Sequence, residues 1–193
     1  MALLIAGLVL FLGIHFLPMF RSVRSGLITR FGENGYKGIF TLVAAVGLGL
    51  TIYGYGVARF DGPPIVYDPP FWLRHVTMLL MVPVFIFLAA AYVPCRIQKT
   101  LKHPMLVAVK LWAFSHLLAN GDLASVLLFG GFLLWAVVDR ISVKRRGDGA
   151  GQIAATAGDP GKYSDMVVIL IGLALYGAFV WKLHVWLIGV PVG

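Results

Sequence analysis

Charge is what this chain has least of. Only 12% of its 193 residues are charged, where soluble domains average about 25%, and acidic residues number 8 against 16 Lys and Arg. With 60% hydrophobic residues and a mean hydropathy of +0.89, the apolar surface is too large for those charges to cover in water. A soluble globular domain is therefore excluded. The single cysteine, Cys95, leaves neither a disulfide nor a multi-cysteine metal site available within one chain, and its thiol reads as incidental. No serine, histidine and acid constellation, phosphate loop or nucleotide fingerprint occurs, so nothing resembles a hydrolase. Repeats of fixed period are also absent.

Long apolar runs are present instead. A helix rising about 1.5 Å per residue needs about 20 residues to cross a hydrocarbon core of about 30 Å. On that basis the chain reads as an all-α polytopic membrane bundle of about six spans: Ala2 to Phe20, Gly38 to Ala58, Phe71 to Tyr92, Pro104 to Ala119, Leu123 to Val138 and Asp165 to Ile188. The fourth and fifth are short and separated only by Asn120-Gly121-Asp122, a turn sequence, which predicts a tight helical hairpin. The first run lacks a preceding basic residue and a small-residue cleavage site, so it reads as a retained helix rather than a signal peptide. Residues 1–193 form a single membrane domain, with a flexible loop expected at about 142–163, where Gly, Ala and Asp accumulate.

Basic residues set the orientation. Arg21, Arg24, Arg30 and Lys37 precede the second span; Arg96, Lys99 and Lys102 precede the fourth; Arg140, Lys144, Arg145, Arg146 and Lys162 follow the fifth. The opposite side carries Arg59 and Arg74 alone, and Lys110 and Lys182 lie within spans. This asymmetry predicts cytoplasmic basic loops and both termini on the other side. It also accounts for the pI of 9.9 through contact with anionic headgroups, and membrane lipids are the expected partners. No nucleic-acid-binding motif interrupts the basic loops, and nucleic acid is not an expected partner.

An ionisable group inside a span needs a partner, water or a ligand to offset its insertion cost. His15 falls near the basic end of the first span and His103 at the mouth of the fourth, while His75, His116 and His184 each lie about 6–8 Å inside the opposite face. Thirteen residues separate His103 from His116, which places them on nearly opposite helix faces and about 20 Å apart. They cannot share one metal. Lys110 lies two turns from His103 near mid-membrane, and no carboxylate lies within a span to pair with it. Asn120 and Trp112, one turn on either side, share the face of His116. Imidazoles from separate helices of a bundle suit the axial positions of a haem, whereas zinc asks for three close ligands. Hydrogen bonds across helix interfaces are the plainer alternative for each ring. If haem is present, Arg74 and Lys110 are candidates for its propionates, although snorkelling serves Arg74 as well.

At these residues the chain resembles the NnrU family over nearly its whole length. The resemblance rests on Leu12-Gly13-Ile14-His15, on the run Arg30 to Gly38, on Trp72-Leu73-Arg74-His75, and above all on His103-Pro104-Met105, Lys110-Leu111-Trp112-Ala113 and His116 to Gly121. It implies a multi-pass protein of the bacterial inner membrane, associated with denitrification and with nitrite and nitric oxide reductases. The family is in turn similar to the haem-containing zeta-carotene isomerase. That similarity implies haem b, with the positions of His15 and His116 ligating its iron. Upright helices would separate those two residues by about 12 Å along the membrane normal, so either the haem lies parallel to the membrane, tilt closes the gap, or His75 replaces His15. Three roles stay open: a haem-dependent, isomerase-like enzyme on an apolar substrate or a nitrogen oxide, a non-catalytic accessory factor for a reductase, and a proton-coupled transporter.

Overall fold

The computed structural model describes residues 1–146 and 160–192. Within them every regular element is helical: α1 (Ala2–Phe16), a 3₁₀ turn (Leu17–Met19), α2 (Arg21–Phe60), α3 (Leu73–Ala90), α4 (Arg96–Leu101), α5 (Pro104–Ala119), α6 (Leu123–Arg146), α7 (Ser164–Ala178), a π turn (Phe179–Leu183) and α8 (His184–Ile188). Five of the helical stretches are long and apolar enough to cross a bilayer, and α5 is the shorter sixth apolar helix at 16 residues. Large apolar side chains point outward along them, including Leu42, Tyr53, Leu79 and Leu170. Against acyl chains such a surface needs no polar cover. Exposed aromatics gather at the ends, with Phe60, Trp72, Trp181 and Trp186 at one face and Tyr92 and Tyr163 at the basic one, as in an interfacial aromatic belt.

The helices pack as an ordered series in which α2 touches α1, α1 touches α6, α6 touches α5, α5 touches α3 and α3 touches α7. Between α1 and α2 the approach is backbone to backbone. A Cβ on Gly7 would lie 2.4 Å from Thr51 N, one on Gly47 2.6 Å from Phe11 N, and one on Gly54 2.4 Å from Leu4 N. Small residues at these positions let two antiparallel helices meet without side chains between them. Gly49 and Gly56 meet nothing within 4 Å, so the glycine-rich second span uses one face inside this chain and leaves the other bare. The main core forms where four helices converge, from Leu4 and Leu8 on α1, Tyr55 and Ala58 on α2, Ala113 on α5, and Ala124, Leu128 and Phe129 on α6.

Three features depart most from the sequence expectation. The basic run before the second span is helix rather than loop: α2 begins at Arg21 and breaks at Gly32, whose φ of 72° and ψ of 166° suit a residue without Cβ. The two limbs, 21–31 and 33–60, therefore point in different directions. The fifth span continues past Val138 to Arg146, because nothing in Asp139 to Arg146 stops a helix once it leaves the apolar layer. Of the expected flexible loop, 142–146 are thus helical, and residues 147–159 lie outside the described residues. The sixth span is interrupted by the π turn, which adds a residue to one helical turn and shifts the phase of all that follows.

Cys95 caps α4, its Sγ accepting from Gln98 N at 3.3 Å. Asp165 of α7 completes that cap, its Oδ1 accepting from Arg96 N at 2.8 Å and Ile97 N at 3.2 Å. A buried thiol that read as incidental thus has a structural role.

The glycine seam makes a prediction with opposite signs on the two faces of α2. Gly54→Ala drives a methyl into the backbone of α1 and is expected to cost about 1–3 kcal/mol. Gly49→Ala meets open space, and its better helix propensity makes it neutral or stabilising by up to about 1 kcal/mol. Thermal unfolding of the two variants in detergent checks this.

Candidate functional site

The α5–α6 hairpin builds the centre of the candidate site. Its turn is held by Asp122, whose Oδ1 accepts from Ser125 N at 2.9 Å and whose Oδ2 accepts from Ser125 Oγ at 2.6 Å, an N-cap with a reciprocal side-chain bond. Because that hydroxyl hydrogen is committed to the carboxylate, Tyr55 on α2 donates its own O–H to Ser125 Oγ, at 2.9 Å. The loop between α2 and α3 lies across the turn. Val66 N and Tyr67 N donate to Gly121 O at 2.8 and 3.2 Å, Leu123 N donates to Pro64 O at 2.9 Å, and Tyr67 O–H donates to Asn120 O at 2.9 Å and also meets Leu117 O. A Cβ at Gly121 would fall within 1.8 Å of Tyr67 O, so only glycine admits this lid. Burial and the nearby Asp122 carboxylate raise the Tyr67 phenol above its ordinary value, and it stays a donor.

Below the turn, His116 stacks on Phe129 with ring centroids 4.6 Å apart and 28° between planes. Its Nδ1 lies 2.9 Å from Trp112 O. A carbonyl can only accept, so Nδ1 carries the proton and Nε2 keeps its lone pair in the neutral ring. Trp112 meets His116, Phe129 and Phe132 at 5.4, 5.1 and 5.4 Å. From Phe132 the aromatic series continues to Phe11 at 5.5 Å and from Phe11 to His15 at 4.3 Å. His15 repeats the arrangement of His116: its Nδ1 donates to Phe11 O at 2.6 Å. Trp135 stands edge-on to His15 at 5.7 Å, and its buried Nε1–H has no acceptor among the described residues.

The other expected site residues are dispersed. Asn120 Nδ2 donates to His116 O at 2.9 Å, closing the end of α5 rather than touching the imidazole. His75 is exposed and packs on Phe71 of its own chain segment at 5.5 Å. Two residues later Thr77 donates to Ser115 O on α5 at 2.7 Å, so the α5-facing side of α3 is turned about 200° from His75. His75 thus does not face His116, although both lie in the layer expected from depth. Arg74 is exposed with its guanidinium 5.3 Å from the Phe71 ring. Lys110 is half-buried and makes no hydrogen bond or ion pair among the described residues. It sits about 120° around α5 from His116, with the core residue Ala113 between them. His103 precedes α5 without a side-chain cap bond; burial, then Arg140, hold its pKa below the usual value, while Asp139 opposes them. His184 Nδ1 donates to Val190 O at 2.7 Å.

Tyr55, Ser125 and Tyr67 are not among the residues singled out from sequence, and Asp122 enters there only as part of the turn. The pattern Asp122-x-x-Ser125 carries a cap signal, but Tyr55 lies 70 positions from its partner, a separation that no local pattern announces.

This architecture defines a polytopic helical membrane protein. A family model described as NnrU protein matches residues 3–192, nearly the whole chain, and the chain belongs to the NnrU family. No curated protein and no solved structure matches it.

Two of the residues expected at a haem, His15 and His116, share one donor chemistry. His15 and His116 each present the Nε2 lone pair that an axial ligand needs, yet the rings of Phe11, Phe132 and Trp112 stand between them. Among the described residues no three or more His, Cys, Asp or Glu side chains converge to hold a metal ion. The apolar cleft beside His15, described below, has a volume of about 200 Å³, less than the roughly 300–1,000 Å³ of sites that enclose drug-sized ligands.

The buried relay is testable by a double-mutant cycle. Ser125→Ala strands the Tyr55 hydroxyl and is expected to cost about 1–3 kcal/mol. Adding Tyr55→Phe removes the stranded donor, so the double variant should be more stable than the sum of the two single losses by about 0.5–1.5 kcal/mol. Urea unfolding in detergent measures the coupling, and strict additivity would show that the bond contributes nothing.

Proposed function

We propose that this NnrU-family chain is a multi-pass protein of the bacterial inner membrane, its termini away from the cytoplasm, that binds b-type haem through His116 and acts in nitrogen-oxide metabolism. The observation that carries the reading is the paired state of His15 and His116. Each imidazole has its Nδ1 proton fixed by its own helix, at Phe11 O and Trp112 O, which leaves Nε2 as the sole donor atom. A hydrogen bond at Nδ1 also orients the ring and raises the basicity of the other nitrogen. Haem, when bound, supplies one-electron chemistry in a site whose potential is set by its axial ligands and by burial.

The chain's own residues supply the surroundings. Trp112 and Phe129 wall His116 with apolar rings, Phe132 packs on Trp112, and the Tyr67 lid with its Gly121 seat closes the hairpin above it. The unpartnered Trp135 Nε1–H next to His15 is a donor that an oxygen of a bound group would satisfy. Since the aromatic series separates His15 from His116, the reading requires those rings to move apart if both nitrogens serve one iron. An accessory role beside a nitrogen-oxide reductase uses the same binding site without turnover.

Absorption spectra of protein purified with haem-replete membranes test this. A six-coordinate low-spin spectrum is expected from the wild type, loss of the chromophore from His116→Ala, and a five-coordinate high-spin spectrum from His15→Ala. If His184→Ala or His75→Ala produces the high-spin form instead, the second ligand is reassigned. Full haem occupancy in His116→Ala overturns the proposal.

A further inference from the structure

The first limb of α2 lies on the basic side of the molecule and is two-faced. Val23, Leu27, Ile28 and Phe31 fall on one arc of the limb, Ser22, Ser25 and Thr29 on the other, the pattern of a helix lying in the membrane interface. The break at Gly32 folds this limb back over the ends of α1 and of the long limb. Beneath it runs a cleft of about 200 Å³ lined by Ile14 and Leu17 from α1 and its turn, Leu27 and Phe31 from the limb, and Tyr36 and Phe40 beyond the break. Ile39 completes the wall. Phe31 is 47% and Ile39 46% exposed, so the cleft's outer wall borders the surrounding acyl layer.

Two cations sit on that wall. The Arg24 guanidinium lies 5.9 Å from the Tyr36 ring centre and that of Arg30 lies 5.4 Å from the Phe31 ring centre, and both rings line the cleft. The nearby carboxylate of Glu33 is committed to Lys37 at 2.7 Å, and it also feels Arg24. Positive charge remains in surplus at the mouth of an entirely apolar slot. A volume of about 200 Å³ admits a stretch of one flexible hydrocarbon chain, while the two guanidiniums suit a phosphate.

We propose that this cleft is a binding site for one anionic phospholipid, an acyl chain lying between the α2 limb and α1 and the phosphate held by Arg24 and Arg30. The limb then acts as a clamp that the lipid holds against the bundle. Since Phe40 of the cleft wall contacts the His15 ring at 5.2 Å, occupancy fixes the surroundings of His15 from the basic side. The proposal does not depend on haem.

Native mass spectrometry of the delipidated full chain, re-exposed to mixed phosphatidylglycerol and phosphatidylcholine of matched acyl chains, tests it. With two arginines at about 1 kcal/mol each near the headgroup, one retained phosphatidylglycerol with roughly thirtyfold preference is expected. The double variant Arg24→Gln/Arg30→Gln should reduce the preference to within about twofold, and Ile39→Trp, which fills the slot, should abolish retention of either lipid. Should Ile39→Trp fail to fold, photo-crosslinkable phosphatidylglycerol on the wild type replaces it, with adducts expected in residues 14–40. Equal retention of both lipids by the wild type, an unchanged preference in the double arginine variant, displacement by millimolar inorganic phosphate alone, or adducts confined elsewhere would each overturn it.

Discussion

A hydrocarbon layer offers no hydrogen bonds, and this requirement organises the polar interior of the protein. Buried polar groups therefore look for partners on the chain itself, and several find one a turn back on the same helix. Thr51 bonds Gly47 O, Thr77 bonds Leu73 O, Ser115 bonds Leu111 O, His15 bonds Phe11 O and His116 bonds Trp112 O. The solution is local, so it survives whatever the neighbouring helices do. For the two histidines it has a chemical consequence: satisfying one nitrogen within the helix leaves the other one available to a ligand.

Where a polar group cannot be satisfied locally, the fold brings distant segments together. The α5–α6 turn has carbonyls and amides that no helix can pair, and the loop after α2 supplies partners through Pro64, Val66 and Tyr67. Tyr55 then ties the same hairpin to α2 through Ser125 and Asp122. Because α2 is itself pressed against α1 by Gly7, Gly47 and Gly54, the His15 and His116 helices are held in one packed unit. The aromatic rings between them fill the space that these constraints leave.

Much of the architecture was legible because its causes are local or additive. Apolar runs mark helices by length, and the turn at Asn120-Gly121-Asp122 marks the hairpin by residue type. The helical basic run 21–31 was less visible, since polar composition beside a span reads equally as loop. Its amphipathic arc emerges once residues are plotted at a helical period, but the fold back at Gly32 depends on one glycine's φ. Among the site residues, His116 with Trp112 and Asn120 on one face was readable from i, i+4 spacing. That Asn120 would cap the helix, that His75 would face outward and that Lys110 would stand apart from His116 follow from which sides of α3 and α5 are covered.

The sequence by itself determined the solvent of this protein, its helices, the charge difference between its two faces and its family, because hydrophobicity sums along the chain and motifs lie within it. Tertiary structure alone decided which glycines press helices together, which rings lie between the two histidines and which arginines rim the interfacial cleft. Those outcomes depend on rotation of each helix about its axis, and that rotation is set by packing against neighbours many residues away.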